Sequence, residues 1–204
     1  MRAALRAFGE LSATAGVILL LFCAYLLWGT GSYTAGQQVL LRKQLLRELQ
    51  EKESGRVRPG GAVAMLRIPR LGRHYRYAVV EGVGWEQLRR GPGHYPGTAL
   101  PGKNGNFALS GHRTTYGAPF ERIDELRRGD PIVVDAREGH YTYRVTGRRV
   151  VKPTAVEFIA PVPGRPGREP ADARITLSTC HPKYSAARRL VVFGELDRRG
   201  DHRG

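Results

Sequence analysis

The sequence predicts an all-β fold, a barrel or sandwich with one or two short helices, preceded by an N-terminal transmembrane helix and a helical stalk. Seven short segments rich in Val, Ile, Tyr and Phe follow one another from Ala62 to Leu196, separated by turns of Gly, Pro and Asp. Helical patterns in this region are confined to "GWEQLRRG" and "APFERIDELRRGD". The 204 residues suffice for one such domain with its appendages.

The first element is the apolar run "ATAGVILLLFCAYLLW" over residues 13–28, which contains no charged residue. With the flanking "GTGSY" it reaches about 20 residues, enough to cross the hydrocarbon core of a bilayer. We predict a transmembrane signal anchor over 13–33, with residues 1–12 cytoplasmic because Arg2 and Arg6 precede the span. The protein is then a single-pass protein of the cell membrane with its folded domain outside.

Two other interpretations fit this run less well. A cleavable signal peptide also has an apolar segment behind positive charge, but the A-x-A type of cleavage signal is absent after this one. A buried helix of a soluble domain would have a polar face, whereas this segment is apolar all around. The retained anchor is therefore preferred.

Residues 34–61 are predicted to form an amphipathic stalk and a linker. In "QQVLLRKQLLRELQEKE", Leu41, Leu45 and Leu49 recur at the spacing of one apolar helix face. "SGRVRPGG" interrupts this pattern with Gly and Pro, so the folded domain is expected over 62–197. A polar tail is expected over 198–204.

Charge and cysteine content limit the possible functions. The net charge of +15 would suggest nucleic acid as a partner of a cytoplasmic protein, but the anchor places the domain outside the cell, so no nucleic-acid partner is expected. Of the two cysteines, Cys23 falls in the span and Cys180 in the exported part, so they cannot form an intramolecular disulfide. A lone exported thiol is either incidental or chemically used.

Cys180 needs a partner to act as a nucleophile, because a cysteine with its ordinary pKa of about 8.5 is only a few per cent thiolate at neutral pH. His112 follows the strand-like "NFALSG", and functional groups tend to gather at such strand ends. His181 is discounted, since neighbouring side chains of an extended segment point to opposite faces. Three further histidines lack a distinguishing pattern and are expected at the surface: His74, His94 and His140.

The stretch "ITLSTCHPKYSAARRLVVFGEL" reads as a hairpin, which brings Cys180 and Arg189 to the same end of the sheet. A guanidinium beside the thiol can favour the thiolate and hold the oxyanion formed when a carbonyl is attacked. Arg188 competes for this role, but the pleat aims it to the opposite face. Taken singly, Cys180, His112 and Arg189 each also fit an ordinary structural or surface role. Their spacing alone does not decide between those roles and a catalytic one.

The motif "TLSTC" followed by Arg189, together with "PGTALPGKNGNFALSGHRTTYGAPF", resembles the sortases, membrane-anchored cysteine transpeptidases of Gram-positive bacteria. The resemblance runs from about Ala62 to Leu196, and "GHRTTYGAPF", "TCHP" and the short Cys-to-Arg interval are most similar to class E. It implies an eight-stranded β-barrel with Cys180, His112 and Arg189 as catalytic residues. We also expect Thr179 to bind substrate.

The resemblance further implies cleavage of an LPXTG or LAXTG sorting signal between Thr and Gly, with the acyl group held as a thioester on Cys180 and then passed to an amine. The expected partners are secreted proteins bearing that signal, a peptidoglycan-precursor amine and the cytoplasmic membrane. No cofactor is expected. No metal is expected either, because the loop before the Cys180 strand offers few acidic residues, namely Glu157, Glu169 and Asp172.

Two other functions fit the same residues. A hydrolytic cysteine peptidase would use the same thiolate and imidazole but accept water instead of an amine. A non-catalytic wall-binding module would use the basic surface to hold anionic wall polymers or lipid headgroups, with Cys180 in the core. A zinc site would need more ligands than Cys180 and the nearby histidines supply.

Overall fold

The computed structural model describes residues 2–51 and 58–197, and its centre is a closed barrel of eight strands. In chain order the strands are β1 (Ala62–Arg67), β2 (Arg76–Glu81), β3 (Gly93–His94), β4 (Gly105–Ser110), β5 (Pro131–Ala136), β6 (Gly139–Val151), β7 (Ala173–His181) and β8 (Arg188–Leu196). Around the barrel they follow the order β1-β2-β3-β4-β7-β8-β6-β5. The expected fold class, an eight-stranded barrel with few helices, is confirmed.

Each of the seven strand-like sequence segments forms a strand. The eighth strand, β3, has two residues, too few to show the alternation by which strands are recognised in a sequence. It pairs parallel to β2 and antiparallel to β4, and so completes the barrel between them. On its other side β4 pairs parallel to β7, which pairs antiparallel to β8.

The barrel interior is filled by large apolar side chains that alternate with outward-facing residues. On β7, Ile175 and Leu177 are fully buried in the main core cluster. Thr176 and Ser178 belong to the opposite face of the strand and are nevertheless buried. Burying a side chain such as Ile or Leu contributes about 1.5–3 kcal/mol, so the end of β7 starts from a firmly packed strand.

The helical segments between the strands are short, as predicted. Helix α3 (Trp85–Leu88) lies in one of the two stretches with a helical pattern, and the 3-10 turn Ile123–Glu125 lies in the other. A further 3-10 turn, Pro69–Leu71, follows β1. These turns connect strands and leave the packing of the core to the sheet.

The N-terminal part is one continuous helical segment made of α1 (Arg2–Ala24), a π-helical turn (Tyr25–Gly29) and α2 (Thr30–Glu51). By length and composition α1 could cross a membrane, with a mean hydropathy of 1.9 and none of its residues buried. A signal sequence has the same properties. The limits 13–33 for the span therefore stay a prediction.

Helix α2 lies against the barrel instead of standing apart as a stalk. The predicted apolar face is present, and its Leu41 and Leu45 are buried with Ala62, Ala78 and Val80. The Leu49 side chain, the first half of the predicted linker (54–57) and the predicted tail lie outside the described residues. The limits 62–197 of the folded domain stay a prediction. Helix α2, which precedes residue 62, also packs on the barrel.

A buried glutamine joins α2 to the edge of β2 that no strand pairs at Ala78. The Gln38 Oε1 atom accepts a hydrogen bond from the backbone N–H of Ala78 at 2.7 Å, and Nε2 donates to Ala78 O at 3.0 Å and to Arg90 O at 2.8 Å. The strand β2 meets β3 only at Val80 and Glu81, so Gln38 supplies the bonds that a neighbouring strand would otherwise make. Gly91 allows this approach, because a Cβ there would lie 2.2 Å from Gln38 Nε2.

Candidate active site

Cys180 and Arg189 face each other directly across the β7–β8 hairpin. The Arg189 Nη1 atom lies 3.5 Å from Cys180 Sγ, and it also donates to the backbone carbonyls of Ala186 and Arg188, each at 3.2 Å. These backbone bonds hold the guanidinium beside the partly exposed sulfur. Arg188 is opposite His181 instead, as the alternation of the strand predicts.

His112 reaches the same end of the barrel through the parallel pairing of β4 and β7. Ser110 is paired with Ser178, and the backbone N–H of Gly111 donates to Ser178 O at 3.1 Å. His112 and Cys180 each follow these paired residues by two positions. The register therefore brings the imidazole and the sulfur to one end of two adjacent strands.

Aromatic side chains surround His112. The Trp85 ring meets the imidazole edge-on with ring centroids 6.4 Å apart, and the Tyr116 ring lies 5.1 Å away. Burial lowers the pKa of His112 from its ordinary value, so the neutral imidazole is favoured at neutral pH. Its Nε2 atom is buried and has no hydrogen-bond partner among the described residues, so it is available to a bound substrate or to the thiol.

Thr179, expected to bind substrate, is buried in the structure, and its contact with substrate stays a prediction. Its side chain is 2% exposed, and its hydroxyl donates to the backbone carbonyl of Gly111 at 2.7 Å. Because side chains alternate along β7, the neighbour of the partly exposed Cys180 points toward the barrel interior. The Thr179 hydroxyl thus joins the cysteine strand to the segment that carries His112.

Arg113 is a site residue that the sequence did not reveal. Its side chain is 4% exposed, and Nη1 donates to the backbone carbonyl of Cys180 at 3.3 Å and to Nδ1 of His181 at 2.8 Å. Its Nη2 atom forms an ion pair with Asp124 at 3.1 Å. The residue after His112 is therefore fixed to the residue that carries the thiol. His181, discounted as a base, is the acceptor of one of these bonds.

The expected surface position of His94 is wrong. His94 is 2% exposed, with Nδ1 2.6 Å from a carboxylate oxygen of Glu81 and Nε2 2.8 Å from the Thr98 hydroxyl. His94 belongs to β3, the strand that is too short to recognise in the sequence. Its bonds to Glu81 and Thr98 satisfy the need of a buried polar side chain for hydrogen-bond partners. His74 and His140 are exposed, as expected.

The chemistry available at this end of the barrel is that of a thiol, an imidazole and a guanidinium. Together they suit nucleophilic acyl transfer, in which the thiolate attacks, the guanidinium stabilises the oxyanion and the imidazole moves the proton. Within residues 2–51 and 58–197, no group of three or more His, Cys, Asp and Glu side chains is placed to hold a metal ion.

The Sortase domain family matches residues 66–197 of this chain. The chain belongs to the sortase family. Sortases are cysteine transpeptidases, which agrees with a nucleophilic cysteine at the end of β7. The match begins within β1 and ends just after β8, so it covers nearly the whole barrel.

Similarity to individual sortases supports the class E resemblance. The chain is 36% identical to sortase SrtE1 of Streptomyces coelicolor over 205 residues, which cover 94% of this chain and 56% of SrtE1. It thus spans little more than half the length of that relative. The structure of sortase E from Streptomyces avermitilis is 43% identical with a TM-score of 0.61, over 69% of this chain and 90% of that one. Sortase E1 of S. coelicolor, solved with a tripeptide in its active site, is 36% identical with a TM-score of 0.63, over 72% of this chain and 96% of that one.

Proposed function

We propose that this sortase is a membrane-anchored transpeptidase that cleaves sorting signals of the LPXTG or LAXTG type between Thr and Gly and transfers the acyl group to a cell-wall amine. The observation that carries the proposal is the Cys180–Arg189 pair, 3.5 Å apart on the hairpin whose end also adjoins His112. The apolar helix α1 supports retention at the membrane with the barrel outside.

In the first half-reaction the Cys180 thiolate attacks the Thr carbonyl carbon of the signal, and a C–S bond forms. The resulting oxyanion is bonded to the carbon that is now attached to Cys180 Sγ. The Arg189 guanidinium beside Sγ can therefore reach it. The C–N bond to Gly then breaks as the His112 imidazolium gives its proton to the departing amine. A thioester on Cys180 remains.

In the second half-reaction an amine attacks the thioester carbonyl, and neutral His112 takes the proton that the amine loses. The C–S bond breaks, and the electron pair returns to sulfur as thiolate. Because burial lowers the pKa of His112, its resting form is neutral at pH 7. Proton transfer from Cys180 to neutral His112 produces the thiolate–imidazolium pair that begins the cycle.

Mass spectrometry of the intact full-length chain after incubation with an LAXTG or LPXTG peptide tests this proposal. We expect a covalent adduct of the peptide up to its Thr on the wild type and none on Cys180→Ala. Cys23→Ala is the matched control, since it removes the other thiol, in α1, and should still form the adduct. Absence of an adduct on the wild type, or its persistence in Cys180→Ala, would overturn the assignment of the nucleophile.

The acceptor is tested in the same reaction by adding triglycine as the amine. Transpeptidation predicts a ligated product whose yield rises with triglycine concentration while hydrolysed peptide falls. Peptide cleavage that is unaffected by triglycine would instead identify a hydrolytic peptidase.

A further inference from the structure

An open cleft of about 820 Å³ lies between helix α2 and the chain that leads into β2. One wall is the helix face that carries Arg42, and the other contains Arg73, His74 and Arg76. No acidic side chain occurs among the described residues that line it. The volume is in the range of small-molecule binding sites, and the charge of the walls is positive.

Among residues 2–51 and 58–197, no carboxylate forms an ion pair with Arg42, the least exposed cation of the cleft. Its Nη2 atom donates to the backbone carbonyl of Arg76 at 2.8 Å, while its Nε is buried without a hydrogen-bond partner in the described part of the chain. Burial and the neighbouring Arg76 charge lower the pKa of Arg42 from its usual value. The Arg42 guanidinium is thus held against the backbone of Arg76, with the cations Arg73 and Arg76 lining the same cleft, an arrangement that a bound anion would relieve.

The remaining cations are exposed toward the same space. Arg73 donates from Nε to His74 Nε2 at 2.9 Å, and over residues 2–51 and 58–197 neither Arg73 nor Arg76 forms an ion pair with a carboxylate. Glu121 is the acidic residue whose charge acts on Tyr77, which also lines the cleft. Glu121 is itself paired with Lys183 at 3.3 Å. The positive charge of the cleft is therefore available to a ligand.

The position of the cleft relates it to the membrane. Its first helical residue, Gly31, lies three residues after the apolar run, which ends at Trp28, and two residues before the predicted end of the span at residue 33. At 1.5 Å per residue, the helix wall from Gly31 to Arg42 is about 16 Å long. The cleft thus begins next to the predicted bilayer surface and extends away from it, where both lipid headgroups and soluble anions can reach its walls.

We propose that this cleft is an anion site that binds a phosphate group, carried either by the headgroup of a membrane lipid or by a soluble phosphate. Guanidinium groups suit this ligand because their fork of N–H donors matches two phosphate oxygens. The site lies between α2 and the β1–β2 connection and uses none of the three residues proposed to carry the acyl transfer. It goes beyond the proposed function and does not depend on it.

The test is calorimetric titration of the full-length chain in neutral detergent with two probes, inorganic phosphate and dihexanoyl phosphatidylglycerol. We expect saturable binding of at least one probe and a loss of affinity of about tenfold or more in the double variant Arg73→Ser/Arg76→Ser. The control is Arg165→Ser/Arg168→Ser, which removes two exposed arginines from the β6–β7 loop. A lipid source predicts tighter binding of the phosphatidylglycerol, and a soluble source predicts equal or tighter binding of phosphate.

The proposal is overturned if the wild type shows no saturable binding of either probe, or if the cleft variant and the loop variant lose affinity equally. A second variant, Arg42→Lys, keeps the charge but removes the guanidinium fork, and it should also weaken binding. Circular dichroism confirms that each variant is folded before it is titrated. Unchanged affinity in both Arg42→Lys and the cleft double variant would likewise reject the site.

Discussion

Replacing Gln38 by Ala tests whether α2 is an integral part of the folded unit. The substitution removes three hydrogen bonds of 2.7, 3.0 and 2.8 Å and leaves the N–H and C=O of Ala78 and the C=O of Arg90 without these partners. Each bond contributes about 0.5–1.5 kcal/mol, and a buried group left unpaired costs about 1–3 kcal/mol. Because the Gln38 side chain is 4% exposed, we expect a loss of about 2–4 kcal/mol in the free energy of unfolding.

Guanidinium chloride denaturation of the full-length chain in neutral detergent measures this loss. Gln37→Ala is the matched control, since Gln37 is the adjacent residue on the same helix and makes one part-buried bond, to Arg90 Nε at 3.2 Å. It should lose less than about 1 kcal/mol. If both variants lose the same small amount, α2 does not stabilise the barrel, and the contacts of Gln38 contribute nothing measurable.

Three further predictions concern the acyl transfer. Arg189→Ala should lower kcat/KM by about 10²–10³-fold because it removes the oxyanion donor. Arg188→Ala should leave kcat/KM within a few-fold of the wild-type value. Similar losses in both variants would reject Arg189 as the oxyanion donor. Arg113→Met should lower kcat by about tenfold because Cys180 is misplaced, and Arg113→Lys should recover part of the loss. A loss of thermal stability without any change in kcat would show that the role of Arg113 is purely structural. Because burial lowers the pKa of His112, kcat/KM should be bell-shaped in pH with its acid limb below about 6.5, and a monotonic rise into alkaline pH would contradict the thiolate–imidazolium pair.

The same shift in pKa carries a stability consequence. Since the pKa of His112 is lower in the folded chain than in the unfolded one, the unfolded state binds more protons as the pH falls. The stabilisation is present above the ordinary histidine value of about 6.5 and is lost as the pH falls through the lowered value. His112→Gln should therefore reduce the difference in stability between pH 7 and pH 5, as denaturation at the two pH values would measure.

The parts of the fold that the sequence predicts are those with local patterns. Short segments rich in Val, Ile, Tyr and Phe between Gly, Pro and Asp turns mark seven strands, and the hairpin brings Cys180 and Arg189 together because they are nine residues apart. The strand β3 has no such pattern, and with it His94 was misplaced at the surface. The apolar face of α2 was evident, but nothing in a single sequence says which surface covers it.

Two contacts that the sequence did not predict, one at α2 and one at the active site, share a physical property. Gln38 and Arg113 bind backbone groups that lie 40 and 67 residues away in the sequence. A backbone carbonyl is present at every position, so such a bond leaves no mark on the residue type of its partner. In a chain with 33 Lys and Arg, one further arginine also drew no notice.

The separation of the reactive groups along the chain has a consequence for how the enzyme matures. The sulfur and the guanidinium come from a single hairpin, and hairpins form within about 1–10 μs, whereas the imidazole joins them through a parallel strand pairing over 68 residues. Pairings between such distant segments form late, because the entropy of closing the loop opposes them. On the proposed mechanism, a half-folded chain therefore lacks its proton carrier until the barrel closes.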